Sequence, residues 1–183
     1  MRTRQGDATV GSALRKPART PTYRELTVYV RIREFRPGDE DAFRRLNEEW
    51  IVRYFELEPK DIDALSNPKT NILHKGGRIF FAEIEGEPVG CCALLSIAPR
   101  EFEVAKMAVS SAHQGKGIGR CLLQHVIEAA RASGAKRLFL ESNRRMAPAL
   151  HLYESIGFQH LPPERIPKSP YARSDVSMEM LLV

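Results

Sequence analysis

The chain has 183 residues, 43% hydrophobic and 28% charged, with a formal net charge of +5. That length holds one domain of about 100–200 residues and an appendage, and the composition excludes disordered, collagen-like and repeat architectures. No stretch reaches the ~18 apolar residues of a membrane span and Met1 to Glu25 lacks a secretory apolar core, so a cytoplasmic protein without membrane partners is expected.

The first 30 residues hold six basic side chains (Arg2, Arg4, Arg15, Lys16, Arg19, Arg24) against Asp7 and Glu25, which leaves the rest of the chain near neutral. The basicity therefore belongs to a tail and does not mark a nucleic-acid-binding domain. Residues 1–27 show no sustained period and read as a flexible basic extension that either contacts a partner or serves targeting. Residues 28–183 read as the domain.

Val28, Val30, Ile32 and Phe35 alternate with polar residues as a half-buried strand does. After Pro37-Gly38, Asp39 is placed to cap a helix carrying Phe43, Leu46, Trp50 and Tyr54 at helical spacing. A short helix follows Pro59 and ends at Asn67-Pro68. Strands are expected over Arg78–Ile84 and Pro88–Ser96, joined at Glu85-Gly86-Glu87, and over Glu101–Val109. Ile118, Leu122, Val126 and Ala130 then form a helical stripe that stops at Ser133-Gly134. A strand over Arg137–Glu141, a helix over Met146–Ser155, and strands near Phe158–Leu161 and Asp175–Leu182 complete the chain. This order predicts an α/β (α+β) fold: a mixed, mostly antiparallel central sheet with helices on both faces.

The run Gln114-Gly115-Lys116-Gly117-Ile118-Gly119 lies between a strand and a helix, where unpaired amides and the positive helix end favour an anion such as a diphosphate. It lacks the spacing of the triphosphate P-loop and of the Rossmann fingerprint, and glycines at a turn are equally a structural device. Cys91 and Cys92 point to opposite faces of their strand and Cys121 lies on the long helix, none beside a base in sequence. They are packing residues, and the three cysteines show neither a disulfide framework nor a zinc spacing, so no metal is expected.

With Gln114, Gly117 and Gly119 in the order Q-x-x-G-x-G, the strand Glu103–Val109 before them, and Asn143, Ala149, Leu152-Tyr153-Glu154 and Gly157-Phe158 after them, the sequence resembles the GNAT superfamily of acetyl-CoA-dependent N-acetyltransferases. The resemblance implies a V-shaped cofactor cleft between the strand ending at Val109 and the strand ending near Glu141. In it, backbone groups of Met107, Ala108 and Val109 hold the pantetheine arm and polarise the acetyl carbonyl, while the amides of Gly115 to Gly119, Ile118 included, take the pyrophosphate. Lys116 and Arg120 are either cations beside that pyrophosphate or solvated surface charges.

By the same resemblance Tyr153 is the general acid for the departing thiolate, and Asn143 holds the cofactor or keeps the cleft open. Glu103 is the candidate base: strand alternation puts it on one face with Ala105, Met107 and Val109, where apolar neighbours raise its pKa, and puts Lys106 on the opposite face unless a bulge intervenes. A structural ion pair remains the alternative for Glu103. The acceptor site is expected between residues 50–58 and 163–173, with Trp50, Tyr54, Phe55 and Tyr171 as walls or as core, and Arg53, Arg144 or Arg173 holding an acceptor's carboxylate. The expected reaction is direct transfer of acetyl from acetyl-CoA to a primary amine of a small molecule. The alternatives are protein or peptide acetylation and a non-catalytic acyl-CoA-binding module. A homodimer is an expectation by analogy.

Overall fold

The computed structural model describes residues 29–182; the expectations for the basic extension fall outside them. Among the described residues seven strands form one sheet in the order β1-β2-β3-β4-β5-β7-β6. They are β1 (Arg31–Glu34), β2 (Arg78–Ile84), β3 (Glu87–Ala98), β4 (Glu101–Val109), β5 (Arg137–Ser142), β6 (Gln159–His160) and β7 (Val176–Leu181). The helices are α1 (Glu40–Tyr54), α2 (Pro59–Ser66), α3 (Pro68–Asn71), α4 (Ile118–Ala132) and α5 (Ala147–Ile156). Every pairing is antiparallel except β4 with β5, as the mixed, mostly antiparallel reading requires.

Each sheet face is covered because the strands are apolar on both sides. Phe80, Cys92, Leu94 and Val104 pack on Leu122, Leu123, Val126 and Ile127 of α4, with α5 beside it. On the other face Phe81, Cys91 and Ala93 meet Phe43, Leu46 and Ile51 of α1 and Leu65 of α2. Cys91 and Cys92 thus separate to opposite faces. Burial pushes the Cys91 thiol up to about 12, which leaves it protonated and inert.

Two local details depart from expectation. Asp39 occupies the position before α1, but its carboxylate makes no helix cap. It accepts from the Arg33 guanidinium at 2.6 and 2.9 Å and from the Arg36 backbone N–H at 2.6 Å, because a charged partner outbids the neutral amides of a helix end. The second is a β-bulge in β4. Register shifts between the pairs Cys91–Ala108 and Ala93–Ala105, and Lys106 takes φ +50°.

The bulge sits just beyond the last residues at which β4 and β5 pair, Glu103 opposite Phe139. A bulge bends and twists its strand, and from there the two strands part into a V.

Candidate functional site

The cleft opened by that V has a volume of about 480 Å³ and is bounded by β4, the turn before α4, the end of β5, α5 and the loop before β7. Of the residues expected to bind the cofactor, Met107, Ala108, Val109, Gln114, Gly115, Gly117, Ile118, Gly119, Arg120 and Asn143 line it, as do Glu103 and Tyr153. Lys116 does not: its ammonium turns back to the Ala112 carbonyl at 3.0 Å.

At one end of the cleft the backbone of Gly115 and Gly117 has φ of +75° and +77°. That left-handed geometry is cheap only without a Cβ, and it aims successive N–H groups outward. Among the described residues the amides of Gly115 to Arg120 have no backbone acceptor; the first regular helical bond runs from Cys121 N–H to the Gly117 carbonyl at 3.1 Å. With the positive end of a 15-residue helix behind them, these donors form a cradle that fits a diphosphate. Gln114 fixes the turn to the strand by donating to the Val109 carbonyl at 2.9 Å. The Ile118 side chain is buried beneath, so this residue offers the cleft only its backbone. Arg120 adds a cation whose guanidinium donates to Ser155 Oγ at 2.8 Å.

Where β4 and β5 diverge, Tyr153 on α5 points its hydroxyl at Met107 Sδ, 4.0 Å away. Burial raises this phenol above its ordinary value, so it keeps its proton. A protonated donor with only a weak sulfur acceptor can turn to a stronger one arriving in the cleft. Asn143 spends both ends of its amide on the protein: Nδ2 donates to the Arg173 carbonyl at 2.5 Å and Oδ1 accepts from Arg145 N–H at 2.8 Å. It therefore fastens the end of β5 to the loop before β7.

The bulge corrects the expected face of Glu103. Met107 packs with the α4 side of the sheet, and Met107 and Val109 both approach Gly119. The ammonium of Lys106 instead reaches Asp61 of α2, on the face where Glu103 lies opposite Leu95. Glu103 therefore shares a face with Lys106 rather than with Met107 and Val109. Burial pushes its carboxyl up to about 7; the neighbouring Glu141 carboxylate adds to the rise, and Lys60 and Lys106 offset part of it. Glu141 is itself raised by burial, although it accepts a hydrogen bond from Ser169 Oγ at 2.9 Å.

Glu141 and a buried ion cluster were missed by the sequence reading. Asp61, with a fully buried side chain, accepts from Lys106 Nζ at 2.7 Å and from the Arg173 guanidinium at 2.6 and 2.8 Å. Arg173 also bonds Glu58 at 3.0 Å, and Lys106 donates to the Tyr171 hydroxyl at 2.8 Å. The cluster pins α2, the β4 bulge and the loop before β7 to one another. Trp50, Tyr54, Phe55 and Tyr171 line the cleft, and Trp50 and Phe55 also pack on the core. The described residues contain no group of His, Cys, Asp and Glu side chains that could hold a metal, and no helix long and apolar enough to cross a membrane.

The model of the acetyltransferase (GNAT) family matches residues 40–158. YsnE of Bacillus subtilis, an uncharacterized N-acetyltransferase, is 38% identical over 109 residues, covering 57% of this chain and 70% of its own. The IAA acetyltransferase of Azospirillum brasilense is 32% identical over 143 residues, covering 77% and 90%. Among solved structures, the acetyltransferase yncA of Salmonella typhimurium with its cofactor acetyl-CoA superposes with a TM-score of 0.66 at 21% identity, covering 85% of this chain and 95% of that one.

Proposed function

The chain belongs to the GNAT family and is an acetyl-CoA-dependent N-acetyltransferase, and we propose that its acceptor is the primary amine of a small molecule. The observation that carries this reading is the cradle of acceptor-less amides at Gly115 to Arg120, opening on a cleft whose far end holds Glu103 and Tyr153. The cradle fits a pyrophosphate, and the edge of β4 left unpaired beyond Glu103 suits an extended arm bearing amides. A cleft of about 480 Å³ in which Trp50, Tyr54, Phe55 and Tyr171 wall the acceptor end favours a small acceptor over a peptide laid along a groove.

Bound acetyl-CoA supplies an activated acyl group on a thiolate leaving group. The protein's own residues do the remainder. The cradle and β4 hold the two reactants together, which converts a bimolecular encounter into an internal one. Glu103, poised near neutrality, takes the proton of the entering ammonium directly or through water. An amide of Met107 to Val109 polarises the reacting carbonyl, and Tyr153 gives its proton to the departing sulfur. Buried Cys91 and Cys92 play no part, since their protonated thiols are poor nucleophiles.

The test is a survey of primary amines with acetyl-CoA, reading thiol release together with the mass of the acetylated product. Transfer to small amines that exceeds transfer to lysine peptides supports the reading; transfer confined to peptides contradicts it. The Tyr153→Phe variant is expected to lower kcat at least tenfold while leaving the KM for acetyl-CoA near that of the wild type. Unchanged kcat would remove the acid role.

A further inference from the structure

Of the three arginines the sequence offers as carboxylate holders, none is available. Arg53 lies over the Tyr54 ring, 5.5 Å from its centroid, and does not line the cleft. Arg144 pairs with Asp175 at 3.2 Å. Arg173 is held by Asp61 and Glu58.

Arg145 is different. It lines the cleft and, unlike Arg144 and Arg173, makes no ion pair with a carboxylate among the described residues. Its main chain is fixed through Asn143 Oδ1, and its guanidinium carbon lies over the Phe55 ring, 5.4 Å from the centroid. A guanidinium resting its face on an aromatic ring keeps its N–H fork free in the plane, where it matches the two oxygens of a carboxylate. The same cleft places Glu103 and Glu141, two acids suited to an ammonium, at the divergence of β4 and β5.

We infer that the acceptor carries a carboxylate besides its amine, and that Arg145 is the residue that receives it. The ammonium is drawn to the acids and the carboxylate to Arg145, since Arg173 is held by acids and Arg120 stands at the amide cradle on the first turn of α4, and the apolar body rests on the wall of Tyr54 and Phe55. This inference rests on the small-amine reading above.

The experiment measures kcat/KM for matched pairs, L-phenylalanine with phenethylamine and L-leucine with isopentylamine, in the wild type and in R145Q and R145K. Comparing the acid-to-amine ratio between proteins cancels the intrinsic reactivity of each amine. The wild type is expected to favour the carboxylate-bearing member. That ratio should fall about 10–100-fold in R145Q, as loss of a charged, bidentate hydrogen bond predicts, and recover in part in R145K. The KM for acetyl-CoA should not change. A ratio unaltered by R145Q, a wild type that prefers the decarboxylated member, or a raised KM for acetyl-CoA overturns the inference while the small-amine reading stands. If neither member of either pair is acetylated by a protein that binds acetyl-CoA, the inference falls together with the small-amine reading.

Discussion

Replacing Glu103 with Gln is expected to lower kcat/KM by about 10²–10⁴-fold, the usual worth of a positioned general base, and to remove the rise of rate with pH through about 7 that is expected of the wild type. The same substitution is expected to make the protein more stable, and the sign follows from burial. A carboxyl whose pKa is raised in the folded state binds its proton more tightly there than in the unfolded chain. The stability it contributes is present at low pH and is lost as pH rises through the folded pKa. Ionising at about 7 rather than near 4.5 costs the native state roughly 3 kcal/mol at high pH. Unfolding by urea should therefore find Glu103→Gln more stable than the wild type at pH 8 and nearly equal at pH 5. A variant that loses activity without gaining stability at pH 8 would contradict the reading of Glu103 as a carboxyl raised by burial.

The largest effect on stability is expected at Asp61. Its side chain is fully buried between Lys106 and Arg173. Burial acts to raise this carboxyl, but the hydrogen bonds and charges of Arg173 and Lys106 prevail and hold it below the ordinary aspartate range. Asp61→Ala leaves Lys106 with no acidic partner and Arg173 with only Glu58. Loss of one member of a buried pair costs about 3–5 kcal/mol, equivalent to a fall of roughly 6–20 °C in Tm for a domain of this size. For a lowered carboxyl the stabilisation is present above the unfolded pKa and is lost as pH falls through the folded one. The deficit of Asp61→Asn against the wild type should thus be full at pH 7 and shrink below about pH 4. A Tm within 2 °C of the wild type at pH 7 would show that the cluster contributes little to holding the acceptor side together.

These two residues illustrate what the sequence makes legible. The glycine turn, the α4 stripe and the strand before them are local patterns, each written within about 20 consecutive residues, and the resemblance to acetyltransferases rests on them. Tyr153 and Glu103 could be assigned to the cleft because each sits inside such a pattern. Asp61 could not, since its partners Lys106 and Arg173 come from distant elements. The same holds for Glu141, whose effect on Glu103 arises across two strands that part beyond Phe139.

The face of Glu103 was misread because strict alternation has no provision for the extra residue at Lys106, a non-glycine at φ +50° that no local signal announces. Asp39 was expected as a cap for want of knowledge that β1 would bring Arg33 to it. Choosing among the arginines at 53, 144, 145 and 173 required knowing that Asp175 and the Asp61–Glu58 pair hold Arg144 and Arg173 and that Arg53 lies over Tyr54 outside the cleft.

Thermal unfolding with acetyl-CoA and with acetyl-pantetheine, which lacks the pyrophosphate-linked nucleotide, tests most directly whether the amide cradle before α4 is the cosubstrate's anion site. At about 100 times Kd the full cosubstrate adds roughly 2.7 kcal/mol, a rise of about 5–10 °C in Tm. A rise with acetyl-CoA and little or none with acetyl-pantetheine is the predicted result; equal shifts with both, or no shift with either, would contradict it.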